Sequence, residues 1–341
     1  MRAAELIAPL TFRLAEVPIG DPGPGQVQVR VEAVGICGSD LHAYSEGAVG
    51  STPNVYPMVL GHEPAGTIVK TGTGVTGLAP GDRGALEPAL YCYHCEFCRR
   101  GLHNVCANIR FLSSPKEPGF FRELVNLPVA NFLPIPSGIS FDQATLVEPL
   151  AVALHSLCLA SIRPTETVAV IGAGPIGLLP IAALRAAKAG RIWAVEPVAH
   201  RRQLANVMGA DVVLEPAEAA GEILRGTGGV GVDCAIDCAA KEDTTGQAIR
   251  MARNAGRVVL TGIHSIPFVP MNGSAMRRKE LAIFNVRRSN QEPPAALELL
   301  KAHTDWFAPL ITHTREIDRI DDAFAIANQY QDGVGKMIVR P

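Results

Sequence analysis

The segment Val168-Ala169-Val170-Ile171 runs straight into Gly172-Ala173-Gly174-Pro175-Ile176-Gly177, and no other stretch constrains the folding of this 341-residue chain so tightly. Four consecutive apolar residues closed by a glycine read as a fully buried strand. The first glycine permits a tight turn, the second lets backbone approach a pyrophosphate, and the third lets the following helix pack on the strand. That helix start offers free N–H groups and a positive dipole end to phosphate. Glu196 ends the next strand-like run, where a carboxylate accepts hydrogen bonds from the hydroxyls of an adenosine ribose. Motif, context and acid together indicate a dinucleotide site. A 2′-phosphate beside Glu196 would be repelled, so NAD is expected over NADP. Arg201 and Arg202 pull the other way, unless one stacks on adenine and the other is solvated.

Strand-like runs at 168–171, 191–195, 211–214, 232–236, 257–261 and 281–285 alternate with helical stretches at 176–189, 199–208, 217–225 and 244–254. This alternation indicates an α/β doubly wound parallel sheet. Pro180 falls inside the first helix and is expected to kink it. Residues 167–184 carry no charge and are long enough to suggest a membrane span, but glycines and prolines directly after a four-residue strand argue against one.

The flanks differ. Residues 26–34 alternate apolar and polar after a Pro/Gly turn at 20–25, short apolar runs follow at 65–70 and 121–130, and no periodic helix is evident before about residue 140. After residue 286 come helices near 293–303 and 321–331 and a strand at 336–339. One domain inserted into another gives this order: 1–150 with 286–341 as a mostly β domain, and 151–285 as the nucleotide-type domain.

Four of the eight cysteines, Cys92, Cys95, Cys98 and Cys106, fall in one short stretch, within a lobe spanning about 89–107. Four thiolates from one loop suit a closed, tetrahedral structural zinc; an iron–sulfur cluster, disulfides or a thiol redox pair are the rivals. Zinc suits a lobe whose other residues, among them Tyr93, His94, Glu96, Arg99 and Arg100, are too polar to form a core. No basic helix accompanies the lobe, and 31 Lys+Arg stand against 33 Asp+Glu, so neither nucleic acid nor an anionic membrane is expected as a partner. The first 17 residues lack a signal-peptide core, and a cytoplasmic location is expected.

Cys37 lies in Gly35-Ile36-Cys37-Gly38-Ser39-Asp40-Leu41-His42, and His62 and Glu63 lie in Gly61-His62-Glu63-Pro64. Singly, these read as a buried thiol, a satisfied histidine and a surface acid. With the four-cysteine loop and the dinucleotide motif, the chain resembles the zinc-containing medium-chain dehydrogenase/reductase family over essentially its whole length. Within it, Gly61-His62-Glu63, Phe120-Phe121-Arg122-Glu123, Val147-Glu148-Pro149-Leu150 and Val286-Arg287 look most like the polyol (sorbitol) dehydrogenase branch, with threonine dehydrogenases close. The resemblance implies a GroES-like catalytic domain carrying an inserted Rossmann domain.

It further implies two zinc ions per chain. Cys37, His62 and Glu63 would bind the catalytic one and leave a fourth position for water or substrate oxygen. Glu148 would either ligate directly or hydrogen-bond the water there, the second being the expectation, and Asp40 would orient His62. Ser39 and His42 would relay the proton as a secondary alcohol gives up hydride to NAD. Tyr44, Phe111, Phe120 and Arg287 would line the substrate pocket, although Arg288 stands where the sorbitol enzymes carry tyrosine. Gly172, Gly174, Pro175, Ile176, Gly177, Glu196, Arg201, Cys238 and Ile263 would hold the cofactor. Close relatives imply a homotetramer or homodimer, with 256–285 at the joint. L-threonine 3-dehydrogenase or another zinc alcohol dehydrogenase is the alternative activity, and a non-catalytic nucleotide-binding member of the fold is the alternative class.

Overall fold

The computed structural model describes residues 1–241 and 243–341. The chain forms two compact units: Met1–Pro149 with Pro293–Thr304 and Ile311–Pro341, and Leu150–Glu292 with Asp305–Leu310.

In the first unit a long strand, β1 (Gln26–Gly35), is the spine of a seven-stranded sheet. On one side it pairs antiparallel with β2 (Glu63–Thr71). On the other it pairs first with Leu124–Pro128 and then, through Val34 and Gly35, with the closing strand Lys336–Arg340. Leu6, Val27, Val29, Val31, Phe121, Leu127 and Val339 are buried in the core beside this sheet. Directly after β1 comes α1 (Gly38–Glu46), a helix the sequence reading did not anticipate. At nine residues it is too short to display a clear period, and its start rests on one contact, Cys37 N–H donating to Asp40 Oδ2 at 3.1 Å. It stops at Gly47, whose φ of 71° suits a residue without Cβ.

The helix α2 (Val147–Ala160) begins in the first unit and leads into the second. There six parallel strands follow: β3 (Val168–Ile171), β4 (Ile192–Val195), β5 (Val212–Leu214), β6 (Val232–Asp237), β7 (Ala252–Leu260) and β8 (Ala282–Asn285). Their order is β5-β4-β3-β6-β7-β8, so the winding reverses between β3 and β6. Loops at that switch point diverge and leave the crevice in which doubly wound sheets bind dinucleotides. Residues 167–184 therefore form a strand, a turn and the helix α3 (Pro175–Ala186). Pro180 costs that helix one hydrogen bond but does not interrupt it.

Two expectations are corrected, and one helix is added. The helix expected over 244–254 ends at Met251, because Lys279 Nζ donates to the carbonyls of Ile249, Arg250 and Ala252 and stops it from thirty positions away. A helix at Gly273–Lys279 had no counterpart in the reading. Residues 286–292 cluster with the second unit rather than the first. Val286 N–H continues the β7 ladder by donating to the Leu260 carbonyl at 3.0 Å, and Glu292 bonds His155 at 2.9 Å. Phe141–Ala160 has the length and hydropathy of a membrane span, yet 67% of its apolar window is buried inside the protein.

Candidate metal and dinucleotide sites

The sulfur atoms of Cys92, Cys95, Cys98 and Cys106 all lie within 4.8 Å of one another. Cys106 Sγ is 3.5 Å from Cys92 Sγ and 3.9 Å from Cys95 Sγ. A tetrahedron of sulfurs about 2.3 Å from a central zinc has edges of about 3.8 Å, whereas a disulfide would need about 2 Å. The group therefore fits a zinc ion and not a pair of disulfides. Burial pushes the Cys98 thiol up to about 12, so four thiolates do not assemble there without a cation.

The second group is Cys37, His62 and Glu63, whose ligand atoms also lie within 4.8 Å of one another. Cys37 follows β1 by two residues and caps α1, Glu63 starts β2 and His62 is the residue before it, so the register of two paired strands brings all three together. His62 and Glu63 are buried. Asp40, on the inner face of α1, has one oxygen 3.3 Å from His62 Nδ1 and accepts from the Gly61 N–H and the Ser113 hydroxyl, both at 3.2 Å. That leaves Nε2 to face the group, with Ser39 Oγ at 3.4 Å. Burial alone would push the His62 imidazole down, but Asp40 and Cys37 hold it well above its ordinary value. Both Glu63 oxygens and His62 Nδ1 are buried without a hydrogen-bond partner. A buried cluster of soft and hard donors whose carboxylate oxygens accept no hydrogen bond fits a divalent cation.

Glu148 stands outside this group of three. Burial pushes its carboxyl up to about 8; Glu63 and Glu87 add to the rise, while His62 and Lys336 oppose it. His42 lies one turn along α1 from Ser39, with Nδ1 2.8 Å from Glu46 Oε1. Phe111 places its ring 5.4 Å from the His62 ring.

Tyr44 and Phe120 do not line an open pocket, contrary to expectation. Tyr44 shares the inner face of α1 with Asp40 and Ala43 and packs in the core, 5.7 Å from the ring of Phe12 and 5.0 Å from that of Phe324. Phe120 is wholly enclosed, and its N–H donates to the Gly61 carbonyl at 2.9 Å. Arg287 stands exposed just beyond β8, in the second unit. Lys336, a fully buried lysine against Glu63 Oε2, was missed. The closing strand showed only an apolar run after a lysine, which reads as a solvated strand start.

In the second unit the glycine motif closes the loop between β3 and α3. Gly172 has φ 88°, and a Cβ there would strike Ala239. A Cβ at Gly177 would meet the Gly172 carbonyl, which is why helix and strand need a glycine there. Gly177→Ala should cost about 3 kcal/mol of stability and weaken NADH binding at least about tenfold. A urea midpoint and a fluorescence titration with NADH check both.

Glu196 directly follows β4 and is buried, but its oxygens are already engaged: Oε2 accepts from Ala173 N–H at 2.6 Å and Oε1 from Val198 N–H at 3.0 Å. It thus braces the glycine turn and meets a ribose only through its remaining lone pairs. Arg201 lies over Gly174, with Nη1 3.5 Å from where a Cβ would sit. Arg202 donates to the carbonyls of Glu196 and Pro197 and pairs with Glu215 at 2.7 Å. Beyond β6, Cys238 is buried, and beyond β7, Ile263 is half exposed.

Comparison with known proteins places these features in context. The model of the alcohol dehydrogenase GroES-like domain matches residues 23–137, and that of the zinc-binding dehydrogenase domain matches residues 175–302. Sorbitol dehydrogenase of Bacillus subtilis is 32% identical over 343 residues, covering 100% of this chain and 97% of that protein. An alcohol dehydrogenase of Escherichia coli CFT073, solved with NADH, is 30% identical with a TM-score of 0.90, covering 100% of this chain and 99% of that one. A zinc-binding dehydrogenase of Sinorhizobium meliloti, solved with NADP, gives the same identity, TM-score and coverage.

Proposed function

Because the chain belongs to the zinc-containing medium-chain dehydrogenase/reductase family, in its polyol dehydrogenase branch, it is a zinc-dependent oxidoreductase acting on a small-molecule alcohol, and we propose that it oxidises a secondary alcohol of the polyol class with NAD. The observation that carries this reading is the buried Cys37–His62–Glu63 group, three donors with no fourth protein ligand among the described residues. Three protein ligands and one exchangeable position are what Lewis-acid catalysis needs.

Cys37, His62 and Glu63 would hold a zinc ion, which would supply Lewis acidity to an alcohol oxygen, and a bound nicotinamide would supply the hydride acceptor. The protein's own groups do the rest. The Asp40 carboxylate, 3.3 Å from His62 Nδ1, orients the ring by its charge, so that Nε2 is the ligand atom. Ser39 Oγ, beside Nε2, is placed to accept the departing proton while giving up its own hydroxyl proton, and His42, on the same helix and held by Glu46, is placed to hand a proton on to solvent. Glu148, outside the three-donor group, hydrogen-bonds rather than ligates. Phe111 covers the His62 ring and presents an apolar wall to substrate.

NAD is the assigned cofactor. Glu196, directly after β4, opposes a 2′-phosphate, and Arg202 is spent on Glu215 and two carbonyls. The chain is assigned to the cytoplasm as a homodimer or homotetramer joined at the β8 edge, where Ile266 and Phe268 in the preceding loop are exposed. With a net charge of -2, neither nucleic acid nor membrane is assigned as a partner.

The test is metal analysis together with a panel of polyols, sugar alcohols and L-threonine, followed by NADH absorbance. Two zinc per chain and reduction of NAD by at least one polyol are expected. L-Threonine as the best substrate would move the chain to the alternative activity. No reduction by any alcohol in zinc-replete protein would favour a non-catalytic nucleotide-binding role.

A further inference from the structure

Glu63 and Lys336 meet across a distance that a sheet ordinarily keeps filled. Their strands are not neighbours: β1 runs between β2 and the closing strand, which we label β9 (Lys336–Arg340), with Gly35 opposite Glu63 on one side and opposite Ile338 on the other. Strands two apart are separated by about 9.6 Å, at about 4.8 Å a step, and a side chain on the middle strand normally occupies that space. At Gly35 there is none. A Cβ there would collide with Glu63 Oε2 and come within 3.3 Å of Lys336 Cε. Through this opening Lys336 Nζ forms an ion pair with Glu63 Oε2 and donates to the Ile36 carbonyl at 3.1 Å. Both side chains are only 1% exposed.

We propose that Lys336 is a positioning residue for the catalytic metal: by holding Glu63 Oε2 through the gap at Gly35, it leaves Glu63 to bind zinc through Oε1 alone. The proposal rests on the reading that Cys37, His62 and Glu63 hold that zinc. Stability gives no sufficient reason for the pair, because a buried ion pair is often matched by apolar residues of similar size. Two consequences for the metal do. A carboxylate with both oxygens free chelates through both and closes the exchangeable position, whereas one with an oxygen held by an ammonium stays monodentate. The ammonium also draws electron density from a negatively charged ligand, so the zinc keeps more of its Lewis acidity. Neither Glu63 oxygen accepts a hydrogen bond, and the ammonium of Lys336 lies against Oε2; that one-sided ion pair is the asymmetry this requires.

Two variants test it in different ways. Lys336→Met removes the cation; Gly35→Ala drives Oε2 off the cation while leaving every charge in place. With cobalt(II) in the catalytic site, both variants should keep two metals per chain and show weaker visible bands, as coordination number rises. In the zinc enzymes kcat should fall on the order of 10–100-fold with KM within about threefold. Unchanged cobalt bands in both variants overturn the role of Lys336, as does a change in Lys336→Met that Gly35→Ala does not share. Should one variant fail to fold, the bands of the other decide. A wild-type chain that binds only one metal, at the four-cysteine group, refutes instead the premise that Cys37, His62 and Glu63 form a zinc site.

Discussion

Cys37→Ser should bind one zinc per chain instead of two and lose on the order of 10³–10⁴-fold in kcat/KM, which is about 4–5.5 kcal/mol of transition-state stabilisation. The hydroxyl that replaces the thiolate is a far weaker zinc ligand, and the two remaining donors, His62 and Glu63, are too few to retain the ion against a chelator. The fold should survive. Cys37 lies two residues beyond a ten-residue strand that is paired on both sides, and the N–H that binds Asp40 is unchanged by the substitution. NADH should still bind, because the glycine turn and Glu196 belong to the other unit. Metal content by mass spectrometry, steady-state kinetics and NADH titration measure the three claims. Wild-type turnover in a protein lacking this zinc would refute the catalytic reading.

Cys98→Ser should have the opposite signature. It should also bind one zinc, but the loss should appear first in stability. Between Cys92 and Cys106 only Cys98, Asn104 and Cys106 are buried, and two of those are ligands. A lobe with so little apolar burial has no core to hold it once the cation leaves, so metal binding and local folding are a single event. The expected drop in Tm is roughly 5 °C, about 3–4 kcal/mol for a chain of this size. Limited proteolysis should cut within the lobe. At low temperature, hydride transfer should persist at more than about a tenth of the wild-type rate, since a closed four-sulfur site has no open position for substrate. Equal loss of activity in both variants at low temperature would show that the two sites do not divide structure from chemistry.

What the sequence carried plainly were the features whose physics is local. The strand into Gly172, the turn that tolerates φ 88° and the helix opening at Pro175 are neighbours along the chain. The four cysteines likewise fall within one loop, so their spacing alone brings four sulfurs together. Helix α1 escaped notice because nine mixed residues hold no clear period.

Other features were decided only when the chain folded. His62 and Cys37 share a site because β1 pairs with β2 in one register and not the next. Tyr44 turned into the core because it shares the buried face of a short helix with Asp40 and Ala43. The oxygens of Glu196 went to the backbone of the glycine turn, which no spacing rule specifies. Lys336 lies 300 positions from the Ile36 carbonyl it bonds, and it meets Glu63 only because a glycine stands between their strands. Local hydrogen bonding and ligand spacing are written into consecutive residues. Which side chains meet across a sheet depends on strand order and register, which only the folded chain settles.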